Sequence, residues 1–231
     1  SSANVRFSPR PSSIEAIRQL TWSARVDYFE DALGRTESRV QSGRFQVELE
    51  NSDQVSFRTA RNFERIDETF DVNSELTVLP GQYTFTDFQL QYNFGPQRRV
   101  AGNVSVKWGN FFDGSLTSIG VNQGRVVITD RLSLEPGVSV NFIEFPDRAS
   151  STQTVTRMRA DYAFTPRMFA SALVQHNSDS DTFSSNLRFR WEYQPGSELF
   201  FVWTDERDTG PGGTGLRNRA LILKITRLLR Y

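Results

Sequence analysis

Apolar residues recur at every second position along most of the chain, and this alternation constrains the fold more than any other feature. In residues 182–193, Phe183, Leu187, Phe189, Trp191 and Tyr193 share one parity, while Ser184, Asn186, Arg188, Arg190 and Glu192 share the other. Successive strand side chains point to opposite faces, so the segment separates an apolar wall from a charged one. The last segment behaves alike: Leu221, Leu223, Ile225, Leu229 and Tyr231 oppose Ala220, Lys224, Thr226 and Arg230. Upstream, Leu20, Trp22, Ala24, Val26 and Tyr28 oppose Thr21, Ser23, Arg25 and Asp27. Phe45, Val47 and Leu49 oppose Arg44, Gln46, Glu48 and Glu50, and Met158, Ala160, Tyr162 and Phe164 oppose Arg157, Arg159 and Asp161.

Punctuation between these runs gives about twelve strands. They are expected at 17–30, 36–50, 54–70, 81–94, 99–112, 117–133, 138–146, 152–164, 168–177, 182–193, 198–208 and 219–231. Most reach the roughly 9–11 residues that cross a bilayer when tilted. Tight turns are expected at 51–53, 94–97, 135–137, 165–167 and 194–197, and longer breaks at 31–36, 71–80, 113–118, 147–152, 178–181 and 208–218. The two sets alternate, as turns and loops do at the two ends of an outer-membrane barrel. Residues 1–16, with Pro9 and Pro11, read as a periplasmic lead-in or an edge strand, and 17–231 as the barrel.

Composition agrees with a barrel that is wet inside. Only 37% of residues are hydrophobic, yet 13% are aromatic, with 19 Phe. A packed soluble domain of 231 residues draws on more Val, Ile and Leu, whereas a barrel needs apolar residues only on its outside. A soluble antiparallel barrel or sandwich, with the apolar face as its core, is the competing fold. Trp22, Tyr28, Tyr92, Trp108, Tyr162, Trp191, Tyr193 and Tyr231 suit interfacial girdles instead. The 27 basic and 27 acidic residues cancel, which gives no electrostatic case for nucleic acid. With no Cys, disulfides and thiolate metal sites are excluded. The opening Ser1-Ser2-Ala3-Asn4 reads as a mature product or a fragment of something longer.

Residues 175–231 resemble the C-terminal end of a bacterial family that joins an N-terminal carbohydrate-binding-like domain, of the family 9 type, to a C-terminal domain of unknown function. The resemblance rests on Gln175-His176-Asn177-Ser178, on the run from Ser184 through Asn186-Leu187-Arg188-Phe189-Arg190-Trp191-Glu192-Tyr193-Gln194-Pro195-Gly196-Ser197, on Glu198-Leu199-Phe200-Phe201-Val202, and on the closing Leu228-Leu229-Arg230-Tyr231. It implies an outer-membrane barrel and an N-terminal domain that this chain does not contain. It supplies no activity and no site residues.

Three sets of residues are candidates for chemistry. His176 and Ser178 share a parity, and Asn186 follows on the next strand. This is similar to the His, Ser and Asn of outer-membrane phospholipase A, and acyl transfer needs a base, a nucleophile and an orienting group. The parity of Asn186 with Arg188 and Arg190 argues against convergence. Asp179, Asp181, Asp205 and Asp208, with Glu206, gather on two outer loops and could hold Ca²⁺, although acidic loop tips are more often solvated. The third set faces the interior by parity: Arg25, Asp27, Arg44, Glu48, Arg58, Lys107, Arg157, Arg159, Asp161, Arg188, Arg190 and Glu192. Such charges either select solutes in a pore or pair and fill it.

The expectation is a bacterial outer-membrane β-barrel acting as anchor, scaffold or narrow pore, with a charged and largely filled lumen. The alternatives are a passive or substrate-specific channel and a phospholipase-like hydrolase. The expected partners are membrane lipid, lipopolysaccharide, the barrel-assembly machinery and other outer-membrane or periplasmic subunits. No cofactor and no nucleic acid are expected.

Overall fold

The computed structural model describes residues 1–72, 77–146, 150–213 and 215–228. Among these residues every regular element is a strand. In chain order they are β1 (Ser2–Phe7), β2 (Ile17–Glu30), β3 (Thr36–Leu49), β4 (Gln54–Ile66), β5 (Phe70–Asp71), β6 (Thr77–Val78), β7 (Gly81–Phe94) and β8 (Val100–Phe111). There follow β9 (Gly114–Thr129), β10 (Leu132–Glu144), β11 (Ser151–Thr165), β12 (Met168–Asn177), β13 (Thr182–Gln194), β14 (Ser197–Asp208) and β15 (Leu216–Thr226). Thirteen of them form one sheet in the order β1-β2-β3-β4-β7-β8-β9-β10-β11-β12-β13-β14-β15, and β5 pairs only with β6. The fold is all-β and antiparallel. Two compact units divide it: residues 1–98, 102–121 and 140–153 form one, and 99–101, 122–139 and 154–231 the other.

The register turns the alternation of the sequence into two chemically distinct faces. In the first unit Phe7, Trp22, Phe45, Phe57 and Leu90 are successive cross-strand partners, and so are Val5, Ala24, Gly43, Thr59 and Phe88. The Trp22 and Phe45 rings lie 5.1 Å apart. In the second unit Tyr162, Ala170, Phe189, Phe201 and Leu223 form such a row, next to Ala160, Ala172, Leu187, Trp203 and Leu221. Cross-strand pairs of this kind stabilise a sheet by a few tenths to about 1 kcal/mol each.

These rows lie open rather than inside a core. Trp22 is 43% exposed, Leu90 46%, Leu187 39% and Leu223 62%. The buried hydrophobic residues, among those described, are Ala60, Val78, Phe85, Phe112, Ile143 and Phe145, all in the first unit. The last five form a cluster that includes Val78 of β6, and Phe85 shares the parity of the charged face. A soluble antiparallel sheet buries its apolar face and wets its polar one. Here burial is concentrated on the polar side.

The strand bounds follow the expected ones closely, with three corrections. The main sheet has thirteen strands, not twelve, because Ser2–Phe7 pairs along β2 from Ser2↔Asp27 to Phe7↔Trp22. Strand 17–30 is therefore flanked by β1 and β3 in the sheet order. The 135–137 turn lies inside β10, and the chain reverses instead at Asp130–Arg131, where the Thr129 hydroxyl accepts from the Arg131 and Leu132 amides at 3.2 and 3.1 Å. The Pro-Gly pair is held within the strand, where the Pro136 carbonyl oxygen would lie 2.4 Å from a Cβ on Gly124. Finally, the long break at 113–118 is a two-residue turn, with Phe112 at a φ of 52°.

Gly109 shows how close the backbones approach. Its φ is +141°, and a Cβ there would lie 2.4 Å from the Thr86 oxygen and 2.8 Å from the Asp87 Cα. Gly109→Ala is expected to destabilise the fold by about 1–3 kcal/mol, measured by denaturant titration; a change below a few tenths would contradict the contact.

Candidate functional site

The charged face is where the alternation concentrates chemistry, and the structure pairs most of it. Asp87 on β7 is the hub of the first unit. It is 5% exposed and stands between Arg58 on β4 and Lys107 on β8. Arg58 Nη1 lies 3.5 Å from its Oδ1, and Lys107 Nζ lies 3.8 Å from its Oδ2. Asn62 Nδ2 donates to Oδ2 at 2.8 Å, whereas Oδ1 accepts no hydrogen bond. The register explains the meeting: Arg58 opposes Gln89, which opposes Lys107, and Asp87 is the same-face neighbour of Gln89. A cavity of about 170 Å³ beside it is lined by Asn62, Glu64, Phe85, Lys107 and Phe111, among others.

The other expected interior charges follow the same logic. Arg25 and Asp27 form a two-point pair at 2.7 Å along β2. Glu48 accepts from Arg18 at 3.1 Å, and Arg44 donates to the Ser56 hydroxyl at 3.1 Å. In the second unit Arg159 pairs with Asp161 at 3.0 Å and reaches Glu135 at 4.0 Å. Arg190 is ion-paired with Glu198, Arg188 donates to Asn186 at 3.2 Å, and Glu192 accepts from the Gly196 amide at 3.1 Å. Arg157 packs against the backbone at Gly137, where a Cβ would come within 2.9 Å of its Nε.

The proposed catalytic trio does not converge. His176 opposes Phe183, so Asn186, three residues on, points to the other face. Asn186 Nδ2 donates to the Thr204 hydroxyl at 2.8 Å, and Ser178 Oγ accepts from the Thr154 amide at 2.8 Å. Of the acidic candidates, Asp205 and Asp208 have their carboxylates engaged, and Asp179 and Asp181 are held through their main chains. Asp205 is held by Arg207 and Arg219, each at 2.7 Å, and Asp208 accepts from Arg217 at 3.1 Å and from the Gly210 amide at 3.0 Å. The Asp181 carbonyl accepts from the Thr209 amide at 2.7 Å, and the Asp179 amide donates to Asn177 Oδ1 at 2.9 Å. No group of three or more His, Cys, Asp or Glu among the described residues could hold a metal ion. Of the expected girdle, Trp22, Trp108, Tyr162 and Trp191 are exposed on the apolar face. Tyr28, Tyr92 and Tyr193 have the same parity, and their hydroxyls bond Thr36, Asp53 and the Thr226 carbonyl respectively. Tyr231 lies outside the described residues.

A second carboxylate is absent from the sequence expectation. Asp53, in the turn between β3 and β4, is 1% exposed. Its Oδ2 accepts from the Tyr92 hydroxyl at 2.6 Å, from Arg98 at 2.5 Å and from Asn51 Nδ2 at 3.1 Å, while Oδ1 accepts from the Gly95 amide at 2.7 Å. It joins the β3–β4 turn to the β7–β8 turn. The Tyr92 hydroxyl, then the Gly95 amide and the Arg98 charge, hold its carboxyl below the usual carboxylate range.

Compared with protein-family models, curated proteins and solved structures, the chain matches none of them.

Two outcomes test this geometry. Asp87→Ala leaves Arg58 and Lys107 without their shared acceptor and is expected to cost about 1–3 kcal/mol in denaturant unfolding. For Asp53, a depressed folded-state pKa means that its contribution is complete above the unfolded value of about 3.9 and disappears as pH falls through the lower folded value. Hydrogen exchange at the Gly95 amide is expected to stay slow at pH 5–7 and to become fast in Asp53→Ala at every pH. Equal protection in the variant at pH 6 would rule the clamp out.

Proposed function

We propose that the chain forms an outer-membrane β-barrel that serves as an anchor or scaffold, or as a narrow pore whose charged interior is largely closed by its own ion pairs. The observation that carries this is the combination, in each unit, of an exposed apolar face with a polar face on which most of the charges find partners. A membrane supplies the apolar surroundings that the chain itself does not. No helix among the described residues is long and apolar enough to cross a membrane, so crossing falls to the strands. The bacterial outer membrane is the compartment for such a wall. Lipid, lipopolysaccharide, the barrel-assembly machinery and further envelope subunits are its proposed partners. The resemblance of residues 175–231 to a family with a carbohydrate-binding-like domain fits an anchoring role.

The pore reading draws on one observation. The polar-face arginine side chains keep much of their accessibility, from 35% at Arg58 to 57% at Arg25, so water reaches them. Conductance in planar bilayers separates the two: the anchor reading expects no stable unitary steps, and reproducible ion-selective steps would establish the pore in its place.

The membrane reading has its own test. Leu90→Arg and Leu187→Arg each place a charge on the apolar face. In lipid each is expected to cost about 2–4 kcal/mol, whereas on a water-facing surface the change stays within about 0.5 kcal/mol. Folding titrations into lipid vesicles and in detergent-free buffer decide between them, and a near-zero cost in vesicles would defeat the membrane assignment.

A further inference from the structure

Arginines interrupt the apolar face in both units, and their surroundings differ. In the second unit Arg207 and Arg219, towards the loop end of β14 and β15, share Asp205, which is 2% exposed. In the first unit Arg39 on β3 and Arg61 on β4 stand towards the loop end of their strands, and both are exposed. Arg39 opposes Phe63, and Arg61 opposes Gln41, so the two arginines are diagonal neighbours on one face. Diagonal positions lie about 7–8 Å apart, within the joint reach of two long side chains.

Neither guanidinium has an ion pair or a hydrogen bond within the chain among the described residues. Arg39 lies over the Phe63 ring, 5.9 Å from its centroid. The flanking residues on this face are Val26, Tyr28 and Glu30 on β2 and Thr84 and Thr86 on β7; Glu30, diagonal to Arg39, is the one acid among them. Glu30 and Glu37, nearer the strand ends, make no ion pair with either arginine.

The depth of the pair identifies its counter-ion. Along the strands Arg61 stands four residues beyond Phe57 and Arg39 six residues from Phe45, away from the aromatic row near the tight turns. At about 3.3 Å per residue these are separations of about 13 and 20 Å. In a tilted wall with an apolar band about 25 Å tall, side chains this long reach the far headgroup layer.

We propose that Arg39 and Arg61 form a binding site for the phosphate group of an anionic lipid in the leaflet on the loop side. Paired guanidiniums suit phosphate because their planar forks donate two hydrogen bonds at once. Gln41, the cross-strand partner of Arg61, adds a neutral donor beside them. The site rests on the membrane reading above, and its test fails separately from that reading.

The probe is diphosphorylated lipid A carried in a non-ionic detergent, with enzymatically dephosphorylated lipid A as the comparison, and retained lipid is read by native mass spectrometry on the folded full chain. The wild-type chain is expected to retain the phosphorylated lipid at least ten-fold more tightly. Each of Arg39→Gln and Arg61→Gln is expected to weaken retention about five-fold and the pair about thirty-fold, at roughly one near-surface charge contribution per arginine. Arg39→Lys with Arg61→Lys keeps the charge and is expected to restore part of the loss. Phosphatidylglycerol binding that falls in the same double variant also supports the site. Unchanged retention in a double Gln variant that folds as the wild type does would overturn it, and so would displacement of the lipid by millimolar inorganic phosphate. A chain that does not fold in detergent or vesicles at all speaks against the membrane reading instead.

Discussion

The sheet holds together because its backbone ladder is nearly self-sufficient while its apolar side chains are not. Apart from the six-residue β1, strands of ten to sixteen residues satisfy one another's N–H and C=O groups between neighbours in the thirteen-stranded order. The buried hydrophobic cluster is confined to five residues around Phe85 and Phe112. Side-chain burial therefore does little of the work that a soluble core does, and the surroundings of the apolar face decide whether the ladder persists.

Charge is handled on the same terms. On the polar face Asp87 serves two cations, Arg58 and Lys107. Asp205 repeats this on the apolar face with Arg207 and Arg219. Sharing an acid keeps the local balance positive, which leaves arginine side chains available to water or to anions. Arg39 and Arg61 are the extreme of that arrangement, since neither makes an ion pair among the described residues.

Strand positions and faces were legible in the sequence because a period of two survives even where individual residues violate it. The parity of Arg25, Arg58, Lys107, Arg159 and Arg190 placed them on one face, and the structure finds their partners there. Asp87 was readable from the same parity as Gln89, yet its role as a hub depends on two neighbouring strands meeting in one register. Asp53 had no local signal beyond a turn, because its partners Tyr92, Gly95 and Arg98 lie 39 to 45 residues away. For residues 1–16 the sequence left a lead-in or an edge strand open, since Pro9 and Pro11 suit either, and Ser2–Phe7 is the edge strand. The turn at Asp130–Arg131 carries neither Gly nor Pro, while Pro136-Gly137 nearby does, so the stronger turn signal stood at the wrong place.

The Asp53 clamp has a consequence for assembly. A strand that slips by one residue exchanges its faces, which would put Arg58 among the aromatic rings and Phe57 among the charges. Asp53 joins the start of β4 to the end of β7 through donors from four residues, one of them the Gly95 amide, whose turn leaves no room for a Cβ beside the Asn51 oxygen. Those bonds form together only in the native register. The clamp thus favours the native alignment of two adjoining hairpins over one slipped by a residue.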